Sequence, residues 1–311
     1  MPSENAAPVG CPPVKTQNRF TIKIALHDRR GVLGRLAALV VGAACARPAT
    51  SLAASSERFV ICYAAGIPAA ALASCRWAVL DGDHHPDLTP LHAAGATTYG
   101  YVSVGEVERT RRHFAEADAV GLLLDFNPNW PDSRYVDLRR PEWEAMLLER
   151  ILPAMLDQGF DGVFLDTLDD AAFLEARDPE RFAGMTQAAA RLVRAMHQRF
   201  PHAKLMLNRG YEIQPLVCDA LDSVLAESIY GGYDFARKRC HPQTPADVRW
   251  QLDRLADLRR RAPNIRIFTV DYWDPRDLDG QRRIYAQQRR NGFIPYVAAI
   301  DLQHIVPEPG R

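Results

Sequence analysis

Beyond residue 57 the chain alternates short, almost uninterrupted apolar runs with longer stretches in which apolar positions recur every three or four residues. The runs cover residues 58–63, 77–81, 97–103, 162–166, 204–208, 223–227, 265–271 and 293–297, and each has the length and β-rich composition of a strand. The helical stretches between them are punctuated as helices are. Residues 141–158 open on Pro141 and stop at Gly159, 182–200 and 245–261 behave alike, and 279–290 end at Asn291-Gly292. Strands that are apolar throughout, rather than at every second position, are buried on both faces. Alternation with helices therefore predicts a parallel sheet covered by them. Eight such units in about 250 residues fit a single α/β domain over residues 54–311, a closed (β/α)8 barrel, with an open doubly wound sheet as the competing arrangement.

Residues 1–53 follow another pattern. A polar lead reaches Arg29-Arg30, an apolar small-residue stretch runs from Leu36 to Ala46, and Ser51-x-Ala53 suits a signal peptidase. This predicts a cleavable export signal of the twin-arginine or general secretory type, and a periplasmic or secreted protein. The apolar stretch is too short to span a bilayer of about 30 Å, so no stable membrane insertion is expected.

Composition changes this picture little: 47% hydrophobic and 24% charged residues describe an ordinary globular domain. Charge changes it more. The whole chain balances 38 basic against 38 acidic residues, but seven basic and two acidic ones lie within 1–53, which leaves 31 against 36, a net of −5. Such a surface disfavours nucleic acid and tolerates a cationic substrate. A monomer is expected. Four cysteines follow residue 53, and an exported protein could join them as Cys62 with Cys75 and Cys218 with Cys240, the pairing that proximity favours.

The strand ends carry the candidate chemistry, because a barrel gathers the loops after its strands at one mouth. There stand Tyr63; Asp81 and Asp83; Tyr101, Ser103 and Glu106; Asp166 and Asp169; Asn208 and Arg209; Glu227, Ser228 and Tyr230; Asp271 and Tyr272; and Tyr296. Histidine is almost absent, and no spacing suits a catalytic transition metal, so no metal or organic cofactor is expected. No G-x-S-x-G elbow or dinucleotide fingerprint occurs either. Carboxylates and aromatic rings around one mouth suit sugar chemistry, in which two carboxyl groups flank an acetal carbon and ring faces pack on pyranoses. Asp166 and Glu227 each close a buried-looking run, where an uncompensated charge is costly. Asp81 and Asp271 could instead form structural ion pairs with Arg209. Asp161 and Asp170 suit solvated turns, and Trp130 and Trp273 suit either substrate contact or packing.

The stretches YVSVGEVE (101–108), NPNWPDSRYVDLRRPEW (127–143), GFDGVFLDTLD (159–169), LNRGYE (207–212), LAESIY (225–230), VDYWDP (270–275) and GFIPYVA (292–298) together resemble glycoside hydrolase family 114, the endo-α-1,4-polygalactosaminidases and similar domains that cut Pel-type exopolysaccharide. The resemblance implies a (β/α)8 barrel with Asp166 as nucleophile and Glu227 as general acid/base of a retaining enzyme. It implies an endo-acting hydrolase of α-1,4-linked galactosamine or N-acetylgalactosamine chains. Asp81, Asp83, Glu106 and Asp271 would then read cationic amines, while Tyr63, Tyr101, Ser103, Trp130, Asp169, Asn208, Arg209, Tyr230, Tyr272 and Tyr296 complete the expected substrate contacts. A non-catalytic glycan-binding barrel and an exo-acting α-glycosidase are the rival readings.

Overall fold

A computed structural model describes residues 58–310, so the expected signal segment lies outside the described residues. Eight parallel strands run β1 (Phe59–Cys62), β2 (Trp77–Asp81), β3 (Thr97–Ser103), β4 (Gly162–Asp166), β5 (Lys204–Asn208), β6 (Ser223–Glu227), β7 (Arg266–Tyr272) and β8 (Ile294–Ala298). Each pairs with the next in chain order, from β1 to β8. Sequential parallel pairing with helical crossovers bends the sheet round until β8 lies against β1, a nearly closed barrel of the (β/α)8 kind. Side chains bridge that seam: the Phe59 ring packs on Phe268 at 4.6 Å and meets Tyr296 edge-on at 6.4 Å.

Period-2 alternation sorts the strand residues into an inward and an outward set. Phe59, Trp77 and Phe268 fill the lower barrel, with Trp77 5.3 Å from Phe268. Tyr63, Tyr101 and Phe164 stack above them, at 4.7 and 6.2 Å. The outer layer includes helices Met185–Arg199, Pro245–Arg261 and Leu278–Arg290. Thr244 and Asp277 cap the last two by accepting from the amides of Asp247 and Gly280. The stretch expected as one helix over 141–158 is interrupted. Pro141–Met146 and Leu152–Leu156 are α-helical, but Leu147–Ile151 between them is a π-turn. Pro153 supplies a reason: it has no amide hydrogen to give back to the preceding turn, and its ring needs room there.

Two excursions at the carboxyl ends were not expected. After β3 the chain builds a three-stranded antiparallel sheet from Glu106–Glu108, Leu123–Phe126 and Ser133–Val136. After β6 it builds a hairpin from Gly231–Asp234 and Arg239–Pro242. Strands of three or four residues, partly exposed, fall below what apolar patterning can signal.

The barrel also separates the cysteines, all four of which are free thiols. Cys62 ends β1 opposite Leu80, whereas Cys75 precedes β2, five residues earlier than that partner. At about 3.3 Å per residue this is ~16 Å along neighbouring strands, against the few ångströms a disulfide tolerates. Cys218 precedes β6 and Cys240 follows it, so they too sit at opposite ends of one strand. No described helix is long and apolar enough to cross a membrane.

Candidate active site

The carboxyl ends of β4, β5 and β6 share one unusual backbone feature. Asp166, Asn208 and Glu227 end these strands, and the residue after each is a non-glycine with positive φ: Thr167 at 64°, Arg209 at 48° and Ser228 at 58°. That conformation costs an L-residue on the order of 1 kcal/mol or more and persists only when its surroundings hold it. Each is held. Thr167 Oγ1 donates to the Asp166 carbonyl at 2.7 Å, accepts from the Gly105 amide at 2.8 Å, and pairs with Ser103 Oγ at 2.9 Å. Gly105 is required, because a Cβ there would sit 2.1 Å from the Thr167 carbonyl oxygen. Arg209 donates its amide to Leu225 while its carbonyl accepts from Gln214 Nε2; Ser228 donates to Val270 and accepts from Gln251 Nε2. Three sharp turns thus leave the last side chains of three adjacent strands pointing into the mouth.

Two of those side chains are carboxylates and the third is the amide between them. Asn208 Nδ2 directs one N–H to Asp166 Oδ1 at 2.8 Å and the other to Glu227 Oε2 at 2.9 Å. The two oxygens can therefore be no farther apart than those legs laid end to end, 5.7 Å. The Thr167 amide gives Asp166 a second donor at 2.8 Å, and the Tyr272 hydroxyl gives Glu227 its own at 2.8 Å. Both acids remain half-buried rather than sealed.

Burial, and next the Glu227 charge, push Asp166 up to about 7, against the opposing pull of the Asn208 hydrogen bond. Asp166 therefore holds its proton far more readily than a free carboxyl, because an anion in a poorly hydrated site beside a second carboxylate is costly. Burial first, with the Asp166 charge at all three and the Glu227 charge at Tyr63 and Tyr272, raises Tyr63, Tyr101 and Tyr272 well above the ordinary phenol range, so all three stay neutral around the pair. A second carboxyl pair lies beside the first. Asp170 Oδ2 is buried without a nitrogen or hydroxyl donor and faces Glu106; burial, then the charges of Asp169 and Glu106, keep its proton on well above the usual range. Asp170, expected in a solvated turn, instead opens the helix Asp170–Arg177.

The remaining expected contacts divide sharply. Asp169 and Arg209 stay at the mouth, partly exposed and ion-paired at 3.3 Å, so Arg209 pairs with neither Asp81 nor Asp271. Asp81 is gripped by both Nη atoms of Arg111, at 2.8 and 3.2 Å, and by the amides of Asp83 and His84. Burial pushes its pKa up, but Arg111 and those amides outweigh it and hold Asp81 below its ordinary value. Asp83 is occupied by Arg111 and Arg112, and Glu106 is buried against Asn127 and Asp170. Ser103 serves the Thr167 turn. Asp271 is fully buried on the outer face of β7, accepting from the amides of Tyr230 and Gly231 at 2.7 and 2.9 Å and from Gln288 at 2.6 Å. Tyr230 turns its hydroxyl to accept from Asn291, away from the pair. Tyr296 lies in the β8–β1 seam, its hydroxyl accepting from the Val306 amide. Trp273 is tied to Asp277, whereas Trp130 stands exposed at the tip of the β3 excursion. Gly105, Arg111, Asn127 and Gln251 were missed, since each acts through a partner remote in sequence. Among the described residues, no group of three or more histidines, cysteines or carboxylates is arranged to hold a metal.

An eight-stranded parallel barrel with two carboxyl groups held within one amide's reach at its mouth defines a glycoside hydrolase class of site. The chain belongs to glycoside-hydrolase family GH114, whose model matches residues 42–310, and it is a glycoside hydrolase. It is similar to the glycoside hydrolase domain of PelA from Pseudomonas aeruginosa, at 30% identity and a TM-score of 0.73 over 81% of this chain and 98% of that one. The fold also matches Aspergillus fumigatus Ega3, solved in complex with galactosamine, at 17% identity and a TM-score of 0.59 over 81% and 95% of the two chains. An uncharacterized protein of Thermotoga maritima is 26% identical over 237 residues, 71% of each chain.

Proposed function

We propose that this enzyme cleaves internal α-1,4 bonds of a galactosamine-containing polysaccharide with retention of configuration. One observation carries the mechanistic part: a single amide bridges Asp166 and Glu227, which limits their facing oxygens to 5.7 Å. Carboxyl groups about 5–5.5 Å apart suit a covalent glycosyl intermediate, whereas about 6.5–9.5 Å leaves room for an attacking water. In the forward step the Asp166 carboxylate bonds to the anomeric carbon as the bond to the leaving oxygen breaks, and that oxygen takes the Glu227 proton. Glu227 then removes a proton from water, the water oxygen bonds to the anomeric carbon, and Asp166 departs. Asp166 must be ionised at the start, although burial in the free enzyme opposes this; a cationic amino sugar beside it favours the anion.

The substrate class rests on family membership, on the likeness to the PelA domain and on the acidic mouth. Asp81, Asp83, Glu106 and Asp271, the acids expected to meet ammonium groups, have partners within the chain, and Asp169 beside the mouth is paired with Arg209, which leaves the half-buried catalytic pair for that task. Export belongs to the same proposal and rests on the Arg29-Arg30 leader pattern; cell fractionation should find the enzyme outside the cytoplasm.

Purified α-1,4-galactosamine polymer should yield new reducing ends with a rapid fall in mean chain length, and the first anomer seen by proton NMR should be α. A first-formed β anomer would refute retention, and monosaccharide as the sole early product would refute endo action.

A further inference from the structure

The two excursions that the sequence did not announce meet each other. Trp130, at the tip of the sheet inserted after β3, lies 5.3 Å from Phe235 of the β6 hairpin, with the rings at 79°. Tyr233 extends the row, 5.2 Å from Phe235 and at 82° to it. The excursions are rooted at the carboxyl ends of β3 and β6, and between those strands lie β4 and β5, which end in Asp166 and Asn208. The contact therefore joins two sides of the mouth that holds the carboxyl pair.

Ordinary packing would bury these rings, yet Trp130 remains 52% and Phe235 44% exposed after touching. They are also firmly presented. The Trp130 amide donates to the Asn127 carbonyl, the Trp130 carbonyl accepts from Ser133, and Asn127 Oδ1 accepts from Asn129. Asn127 is itself buried and donates to Glu106. Phe235 follows the paired segment Gly231–Asp234 directly. Exposed Asp132 places a carboxylate two residues from Trp130, while Asp234, next to Phe235, is taken up by Arg237.

We propose that Trp130, Phe235 and Tyr233 form an aromatic clamp that holds the amino-sugar chain away from the bond being cut. The inference rests on the proposed polysaccharide substrate. Aromatic faces offer two attractions to such a chain, packing against the apolar side of the pyranose and attraction of an ammonium group by the ring quadrupole. Because the rings occupy excursions rather than barrel strands, they act on chain length and not on the chemical step.

The test uses calorimetric binding of galactosamine oligomers of increasing length to the hydrolytically silenced Glu227→Gln protein, with and without Trp130→Ala and Phe235→Ala. The expected result is that affinity rises with oligomer length in the parent, and that each alanine erases roughly three- to ten-fold of that rise. Trp130→Tyr should recover most of it. A length dependence untouched by both alanines overturns the clamp, as does equal weakening for short and long oligomers or failure of any oligomer to bind. Reducing-end release by the unsubstituted enzyme is measured alongside. Length-dependent binding with no cleavage of the polymer would refute the proposed hydrolysis while leaving the clamp standing.

Discussion

Asp166 and Asp271 pose the same problem in different places. Each lies at or next to the carboxyl end of a buried strand, where a charge without compensation is expensive. At Asp271 the protein supplies the compensation: two backbone amides and Gln288 occupy the carboxylate, and the outer helix Leu278–Arg290 covers it. At Asp166 the protein compensates only in part. One of its donors is shared with Glu227, a like charge stands opposite, and the side chain stays open to the mouth. Burial raises both acids above the ordinary carboxyl value, but at Asp271 the donors are fixed and covered, whereas the cost stored at Asp166 faces the mouth, where a cationic transition state can relieve it.

The largest effect should come from removing that chemistry. Asp166→Asn and Glu227→Gln should each lower turnover of galactosamine polymer by about 10³-fold or more, measured as reducing ends, with circular dichroism unchanged. Asp271→Ala should do the reverse. It strands three buried donors, at about 1–3 kcal/mol each, so denaturant unfolding should show a loss on the order of 3 kcal/mol or more, while kcat/KM of the protein that remains folded stays within a few-fold. A stable Asp271→Ala enzyme with lost turnover would place that residue in the chemistry after all.

This contrast was half visible in the sequence. The strands were legible because a parallel barrel buries both faces, and all eight runs match the observed strands to within a residue at either end: β2 through β6 coincide, β1 is shorter by one at each end, and β7 and β8 each start and end one residue later. Asp166 and Glu227 were legible for the same reason, each closing such a run. What misled at β7 was a single residue. The run over 265–271 made Asp271 the last strand residue, but the strand is Arg266–Tyr272, and since alternate residues face opposite ways Tyr272 points inward to Glu227 while Asp271 points out. The acids at Asp81, Asp83 and Glu106 were legible as acids at a mouth but not as occupied ones, because Arg111 and Asn127 reach them from excursions whose short strands leave no periodic signal. The three positive-φ residues have no signature either, since Thr167, Arg209 and Ser228 are not residue types chosen for that conformation.

Asn208 sharpens the comparison because it is the one donor both acids use. Asn208→Ala withdraws a hydrogen bond from each carboxylate at once, which disfavours both anions. The two limbs of the kcat/KM against pH profile should therefore move to higher pH, with a loss of about 10- to 100-fold at the parent optimum. A purely structural role would lower activity evenly and leave the limbs in place, so the profile, rather than the rate, decides the matter.

The smallest effect is on stability, and its sign separates the two acids most cleanly. Burial, followed by the Glu227 charge, raises Asp166 from 3.8 to about 7 in the folded protein. Between those values the folded state binds the proton more tightly than the unfolded one, so this residue's contribution to stability is most favourable below about pH 4 and declines as pH rises to 7. Asp166→Asn removes the ionisation that causes the decline. It should therefore be more stable than the parent at pH 8, on the order of 1–2 kcal/mol by denaturant unfolding, with the advantage fading toward pH 4. Asp271→Ala, by contrast, leaves the Tyr230 and Gly231 amides without their shared acceptor and should be less stable than its parent at pH 8 and at pH 4 alike. An Asp166→Asn protein that is destabilised at pH 8 would mean that the carboxyl pair is a structural link, and that the mouth stores no cost for a substrate to relieve.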